Sequence, residues 1–292
     1  MTVLDPFSIA LGTVFATGVG TYYYAACVEA TDFRLETLQV PLRGLTKSLK
    51  VLHLSDLHLC EPESKKVAFL EQLMDDDYDL VLLTGDIFEN YSGVQYAPYL
   101  LSRKPRIGAY AVLGNHDYYE YTMFHKTFGR VMRKYRHPEQ KRDVEPMVQA
   151  LLKTGYTVMR NESCQIDSEK LYIIGIDYPG ISQPKLDELS ASAPSGYFKL
   201  ALFHVPKDLN DIAKTGVGFA VGGHTHGGQI RVPGWGALIT DSELSTKQAS
   251  GLFKRQETIF HISRGLSADP KSNIRLFCPP AVTLLELTPA VP

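Results

Sequence analysis

From Phe33 onward, short apolar runs alternate with polar clusters. Leu49–Ser55, Leu80–Thr84, Ala109–Leu113, Leu171–Asp177, Leu200–His204 and Gly218–Gly222 are apolar stretches of strand length, as expected of strands buried on both faces. Phe33–Val40 alternates like an edge strand, and Thr258–Ser263 and Val282–Leu287 supply two late strands. Helical periodicity lies between them, at about Ser64–Asp76, Val94–Ser102, Val144–Thr154 and Lys207–Lys214. Strands that alternate with helices and then follow one another predict a layered α/β fold. No internal repeat or low-complexity tract interrupts the pattern.

The N-terminus follows another pattern. Phe7–Val28 carries no charge and is bounded by Asp5-Pro6 and Glu29. As a helix it would span roughly 33 Å, about one hydrocarbon core. Tyr22, Tyr23 and Tyr24 suit an interfacial aromatic belt. A cleaved signal peptide needs a basic start, and Met1–Pro6 has no Lys or Arg. Tyr24-Ala25-Ala26-Cys27 lacks the leucine of a lipoprotein cleavage site. Gly, Thr and Ser dilute the run, so a buried helix is the alternative. The expectation is a transmembrane anchor over 1–32 and one domain over 33–292. Arg34, Arg43, Lys47 and Lys50 follow the span and none precedes it, which predicts a cytoplasmic domain.

Composition narrows the class. A content of 44% hydrophobic and 21% charged residues supports a full core and excludes intrinsic disorder. A formal charge of −2 argues against a nucleic-acid partner. The four cysteines are scattered without a CxxC pair, which excludes a disulfide scaffold and a cysteine-built zinc site.

The nine histidines carry the chemistry, because most sit in short polar motifs after predicted strands. His53-Leu54-Ser55-Asp56-Leu57-His58 follows the first, Gly85-Asp86 the second and Gly114-Asn115-His116-Asp117 the third. His204 ends a later strand, and Gly222-Gly223-His224-Thr225-His226-Gly227-Gly228 ends the next. In open α/β sheets, sites are built at strand C-terminal ends. Pooled carboxylate, amide and imidazole donors without thiolate suit Mn²⁺, Fe, Zn²⁺ or a similar ion. Two such ions about 3.5–4 Å apart can activate a water and bind the oxygens of a phosphoester. Each piece alone recurs by chance: a lone His204 suits a core histidine, and GNHD suits a capped turn. Five in this order, each after a strand, do not.

The order D-x-H, G-D, G-N-H-D, H, G-H-x-H resembles the calcineurin-like metallophosphoesterase superfamily, from Phe33 to about Leu287. HLSDLHL, TGD, LGNHDYY, GGHTHGGQIRVPG and SRGL…IRLFCPP resemble its membrane-associated bacterial branch. The resemblance implies a four-layered α/β/β/α sandwich of two mixed sheets covered by helices. It implies that Asp56, His58 and His226 hold a first metal, that Asp86 bridges, and that Asn115, His204 and His224 hold a second. Mn is the preferred ion. His116 would sit beside the phosphate, as proton donor or charge stabiliser. Where many members carry an aspartate that orients this histidine, this chain has Glu89, one methylene longer. Asp117 is a second candidate partner for a histidine, or else a helix cap.

The stretch at about 118–146 departs most from the resembled branch. Lys126, Arg130, Arg133, Lys134, Arg136, Lys141 and Arg142 alternate with Phe124, Phe128, Val131, Met132 and Tyr135. That predicts a basic amphipathic helix, bound to anionic lipid or packed as a cap. With the anchor, it points to a phosphorylated lipid substrate at the inner membrane of a bacterium. Some members of the superfamily cleave UDP-2,3-diacylglucosamine to the lipid monophosphate and UMP, in lipid A synthesis. That is the preferred substrate, with Arg130 and Arg133 on the diphosphate and Phe124 and Phe128 facing acyl chains. A broad-specificity phosphodiesterase or phosphatase and a scaffold without activity are the alternatives. His53 and His261 are expected to be structural, Trp235 to line the pocket or anchor a turn, and Arg264 and Arg275 to reach a phosphate or serve the fold.

Overall fold

A computed structural model describes residues 5–122, 124–125, 138 and 141–290. Strands β1 (Arg34–Leu42), β2 (Leu49–Leu54), β3 (Leu80–Thr84), β4 (Gly108–Val112) and β5 (Tyr156–Val158) lie with the last strand, β14 (Ala281–Pro289), in one sheet. Its order is β1-β14-β2-β3-β4-β5. β6 (Glu162–Ile166), β7 (Leu171–Gly175), β8 (Phe198–Leu202), β9 (Phe219–Gly222), β12 (Gly251–Arg255) and β13 (Thr258–Ile262) form the second, ordered β12-β13-β9-β8-β7-β6. β2 to β5 run parallel, as do β7, β8, β9 and β13, while β14 is antiparallel to β2. β12 is antiparallel to β13 and β6 to β7, so both sheets are mixed. Between β9 and β12 a hairpin, β10 (Arg231–Val232) and β11 (Gly236–Ala237), stands apart.

Side-chain alternation builds the layers. Val51, Leu82 and Leu285 of the first sheet meet Ile173, Leu200 and Val221 of the second in a core between the sheets. Leu52, Leu54, Val81 and Leu83 face the other way, onto Leu70 and Met74 of the helix Ser64–Met74 and Met147 and Leu151 of the helix Glu145–Thr154. Ile174, Ala201 and Ala220 pack against Leu186 and Leu189 of the helix Gln183–Ala191 and Leu209 and Ile212 of the helix Leu209–Lys214. The order is helices, sheet, sheet, helices. Truncating Ile173 to alanine in the middle core would cost about 2–5 kcal/mol.

His53 and His261 occupy the inter-sheet layer as a buried pair, Nδ1 to Nδ1 at 2.9 Å, and His53 Nε2 meets Thr84 Oγ1 at 2.8 Å. Burial pulls both below the usual histidine range, His261 to about 3, so both are neutral core residues.

The structure corrects the N-terminal expectation. The helix there is Pro6–Tyr23, 18 residues, about 27 Å at 1.5 Å per residue. Among the described residues no helix is long and apolar enough to cross a membrane. Two causes are visible. Ser8, Gly12, Thr13, Thr17, Gly18, Gly20 and Thr21 dilute the helix. Its expected last turn, Tyr24–Val28, is a π-turn that buries Ala25 and Ala26 against the domain. The transmembrane helix, the single-pass inner-membrane placement and the orientation inferred from it fall together.

Two smaller differences have local causes. The helix expected over Val94–Ser102 is a 3-10 run, Tyr91–Leu100, with Pro98 inside it. β5, β6 and β12 were not anticipated. All three are sheet edges without a long buried run. The predicted amphipathic helix falls mostly outside the described residues, Arg130, Arg133 and Phe128 included, whereas Phe124 is 51% exposed.

Candidate metal centre

Five loops leave the C-terminal ends of β2, β3, β4, β8 and β9 and converge in the cleft between the sheets. Their backbone is unusual. Asp56, His58, Asp86, His224 and His226 all have positive φ, between +43° and +73°. Non-glycine residues rarely adopt this region, and those that do cluster at functional sites. Cross-loop hydrogen bonds hold them there: Asp56 N–H to Gly85 O at 3.1 Å, His58 N–H to Asp86 O at 2.9 Å and Gly223 N–H to His204 O at 3.1 Å. Two glycines are needed for close approach. A Cβ at Gly114 would collide with the Asp86 carboxylate, and one at Gly223 with Ser55 and Asp56.

The donor atoms form three groups, one of them His58, Glu89 and His116, and the other two contain Asp86. Asp56, His58, Asp86 and His226 each place one donor within 4.8 Å of the others, as do Asp86, His204 and His224. Asp86 belongs to both. Asn115 is brought alongside by the short helix Asn115–Tyr118, whose His116 N–H donates to Asp86 Oδ1 at 2.7 Å. His224 N–H is shared by both oxygens of Asp56, at 3.0 Å each.

Outer contacts fix the tautomers. His226 Nδ1 lies 2.8 Å from Ser267 O, and His204 Nδ1 2.7 Å from Thr84 O. A carbonyl only accepts, so each Nδ1 carries the proton and each Nε2 turns a lone pair inward. His58 is set likewise by Glu89 Oε2, at 3.0 Å. His58 Nε2 then lies 3.4 Å from His226 Nε2 and 3.7 Å from Asp86 Oδ2. Asn115 Oδ1 is buried without a partner, and His204 Nε2 lies 3.1 Å from Asp86 Oδ2. Converging donor atoms and an orphaned buried acceptor are what a cation site requires. The oxygen and nitrogen donors fit a divalent ion.

Electrostatics agree. Burial brings His226 down to about 3 and His224 to about 4, the latter helped by His204, so both are neutral ligands near pH 7. Burial also opposes charge on His204, but Asp86 outweighs it and lifts the imidazole to about 9. In return His204, His116 and His58 hold Asp86 well below the usual carboxylate range despite its burial. Bound cations would take over that role.

The two open assignments resolve. Glu89 is the histidine partner, its Oε2 bound by both His58 Nδ1 and His116 Nδ1, at 3.0 and 3.1 Å. Asp117 is a clamp. It accepts Ile87 and Phe88 N–H on one oxygen and Gly114 N–H on the other, tying the third motif to the second. Burial and Asp86 raise it to about 6.

Several neighbours had no local signal. Tyr121 packs its ring 4.7 Å from that of His116, and Lys271 Nζ lies 3.8 Å from Glu89 Oε1. Asp241 is close enough to His224 to favour its charged form. Arg264 pairs with Glu36, and Arg275 is fully buried among carbonyls. Neither therefore presents a free guanidinium to a phosphate. Trp235 is 68% exposed beside β10 and β11.

A donor set of this kind, at the strand ends of two facing mixed sheets, marks the class as an α/β protein with a candidate divalent-metal centre. Comparison with known proteins gives the family. Residues 49–228, more than half the chain, match the calcineurin-like phosphoesterases, and the chain belongs to that family as a metal-dependent phosphoesterase. It is similar to the uncharacterised metallophosphoesterase YkoQ of Bacillus subtilis, 28% identical with 91% of this chain and 94% of the relative covered. A second B. subtilis protein, the uncharacterised metallophosphoesterase YkuE, is 25% identical over 95% and 93%. The UDP-2,3-diacylglucosamine pyrophosphatase LpxG of Chlamydia muridarum is 23% identical over 98% of both chains.

Proposed function

We propose that this chain hydrolyses a phosphodiester or pyrophosphate bond of a lipid-linked substrate with two divalent ions, Mn²⁺ preferred. UDP-2,3-diacylglucosamine is the candidate substrate. The observation that carries the chemistry is the pair of donor clusters joined through Asp86. The substrate rests on the end-to-end similarity to proteins named for that pyrophosphatase.

Asp56, His58 and His226 would hold a first divalent ion and Asn115, His204 and His224 a second, with Asp86 available to either. Such a pair supplies Lewis acidity at the phosphoryl oxygens and makes a water nucleophilic at neutral pH. His116 supplies the proton. Its Nδ1 is engaged by Glu89, and its Nε2 is the ring nitrogen that would meet the leaving oxygen. The Glu89 charge favours the imidazolium form that this role needs. The Tyr121 ring covers one side of His116 and keeps water from it. In this reading Arg130 and Arg133 would bind the diphosphate, and Phe124 and Phe128 would meet acyl chains.

The test is Mn²⁺-dependent release of UMP from UDP-2,3-diacylglucosamine, with a water-soluble phosphodiester and Asp86→Asn in parallel. Faster cleavage of the lipid substrate, lost in the variant, is expected. Cleavage of the soluble ester alone would discard the lipid substrate and favour a broad-specificity phosphodiesterase. A chain that binds no metal and cleaves neither would favour a scaffold. Replacing Arg130 and Arg133 by glutamate should raise KM for the lipid substrate far more than for the soluble ester.

A further inference from the structure

Among the described residues Arg275 has an unusual environment. It is fully buried, and no carboxylate lies within ion-pairing distance of it. Backbone carbonyls replace the counter-ion. Nη1 donates to His226 O at 2.6 Å and Cys278 O at 3.4 Å. Nη2 donates to Arg264 O at 2.8 Å, Gly265 O at 3.3 Å and Ser267 O. Two of these acceptors matter to the centre. One is the main chain of His226 itself. The other, Ser267 O, also receives the His226 Nδ1 proton and so sets its tautomer. Ser267 N–H in turn donates to Asp56 O at 3.0 Å. The planar fork thus grips one imidazole ligand from two directions.

The N-terminal segment closes over this fork from outside. Arg275 N–H donates to Ala25 O at 3.0 Å, and Asn273 Nδ2 to Ala26 O at 3.3 Å. The buried carboxylate of Glu29 accepts Phe277 N–H at 3.0 Å and Cys278 N–H at 2.5 Å. The apolar stretch that resembled an anchor therefore ends as a clasp on residues 273–278.

A fixed positive charge behind a cation ligand opposes cation binding by Coulomb repulsion. Its retention there needs a compensating gain, and the geometry supplies one. We propose that Arg275 is a positioning residue for the metal ligand His226, and that the Ala25–Glu29 turn keeps Arg275 in place. The proposal rests on the centre holding metal. It adds that affinity at the His226 half-site is set by residues outside the centre.

The test is Mn²⁺ titration of the full chain, read by calorimetry and by the EPR signal of free Mn²⁺. His226→Ala marks which binding step belongs to that half-site. Arg275→Met and Arg275→Lys are expected to weaken that same step by about 10–100-fold, the usual loss when an outer partner of a ligand is removed. The other step should stay within twofold. Glu29→Ala should weaken the His226 step several-fold. Ile173→Ala, a cavity in the inter-sheet core, should lower the thermal midpoint and leave both steps unchanged.

A charge role predicts the opposite ordering, with Arg275→Lys like wild type and Arg275→Met binding Mn²⁺ more tightly. That result, or unchanged affinities in folded variants, would overturn the proposal. Equal weakening in Ile173→Ala would overturn it too, by reducing the effect to general destabilisation. If Arg275→Met does not fold, Glu29→Ala decides alone. Wild-type protein that binds no Mn²⁺ would remove the metal reading and this proposal with it.

Discussion

The histidines of the metal centre are oriented by two different means. His226 and His204, one from each donor cluster, lean on the carbonyls of Ser267 and Thr84. His58, in the same cluster as His226, leans instead on the Glu89 carboxylate, which also holds His116. A carbonyl sets a tautomer without adding charge, and no side-chain substitution removes it. A carboxylate adds charge, raises the basicity of its histidine and can be lost in one mutation. The carbonyl contacts therefore serve geometry alone, whereas Glu89 couples a ligand to the proton donor.

The largest effect comes from removing what the two donor clusters share. Asp86→Asn should abolish hydrolysis and weaken both Mn²⁺ steps, because Asp86 belongs to both clusters. Metal analysis beside the activity assay checks it. Next comes Glu89→Gln, which keeps size and loses charge. It should lower kcat by about 10²–10⁴-fold, the range for a positioned acid. The basic limb of the kcat–pH profile should move to lower pH, since the His116 proton is held less firmly. Glu89→Asp should fall between, being too short to reach both rings. A comparable loss of kcat without a shifted limb would assign Glu89 to His58 alone.

Gly114→Ala is expected to cost about 1–3 kcal/mol by overpacking against Asp86. Urea denaturation measures it.

The smallest effect is in the pH dependence of the metal-free protein. His224 and His226 lie below the ordinary histidine value, so the unfolded chain binds more protons as pH falls from about 6.5 toward 4 and 3. Stability is lost in that window. His204 lies above it, at about 9, so its contribution is full below about 6.5 and lost as pH rises through 9. The chelated protein should have its highest thermal midpoint near pH 6.5–7. Saturating Mn²⁺ should flatten the alkaline fall, which comes from the centre. The acid loss from His261 should persist, since that residue lies between the sheets.

These features were unequally legible in the sequence. The ligand motifs were readable because each sits within a few residues of an apolar strand, and β2, β3, β4, β8 and β9 emerged near their expected bounds. Glu89 could be flagged as a departure. Its double contact could not, because His58 and His116 are 31 and 27 residues away along the chain. Ser267 acts through its backbone carbonyl, which leaves no residue-type signature, and Arg275 stood out as a residue while its carbonyl acceptors did not. The N-terminal run misled because absence of charge is a weaker condition than sustained apolarity. Its last residues are buried by tertiary contacts with 273–278 that local pattern does not contain.

The central claim is that one carboxylate joins the two half-sites. The direct measurement is EPR of the protein loaded with two equivalents of Mn²⁺. An exchange-coupled pair signal, lost in Asp86→Asn, is the expected result. Two isolated Mn²⁺ signals in the wild-type protein, or a coupled signal that survives Asp86→Asn, would contradict it.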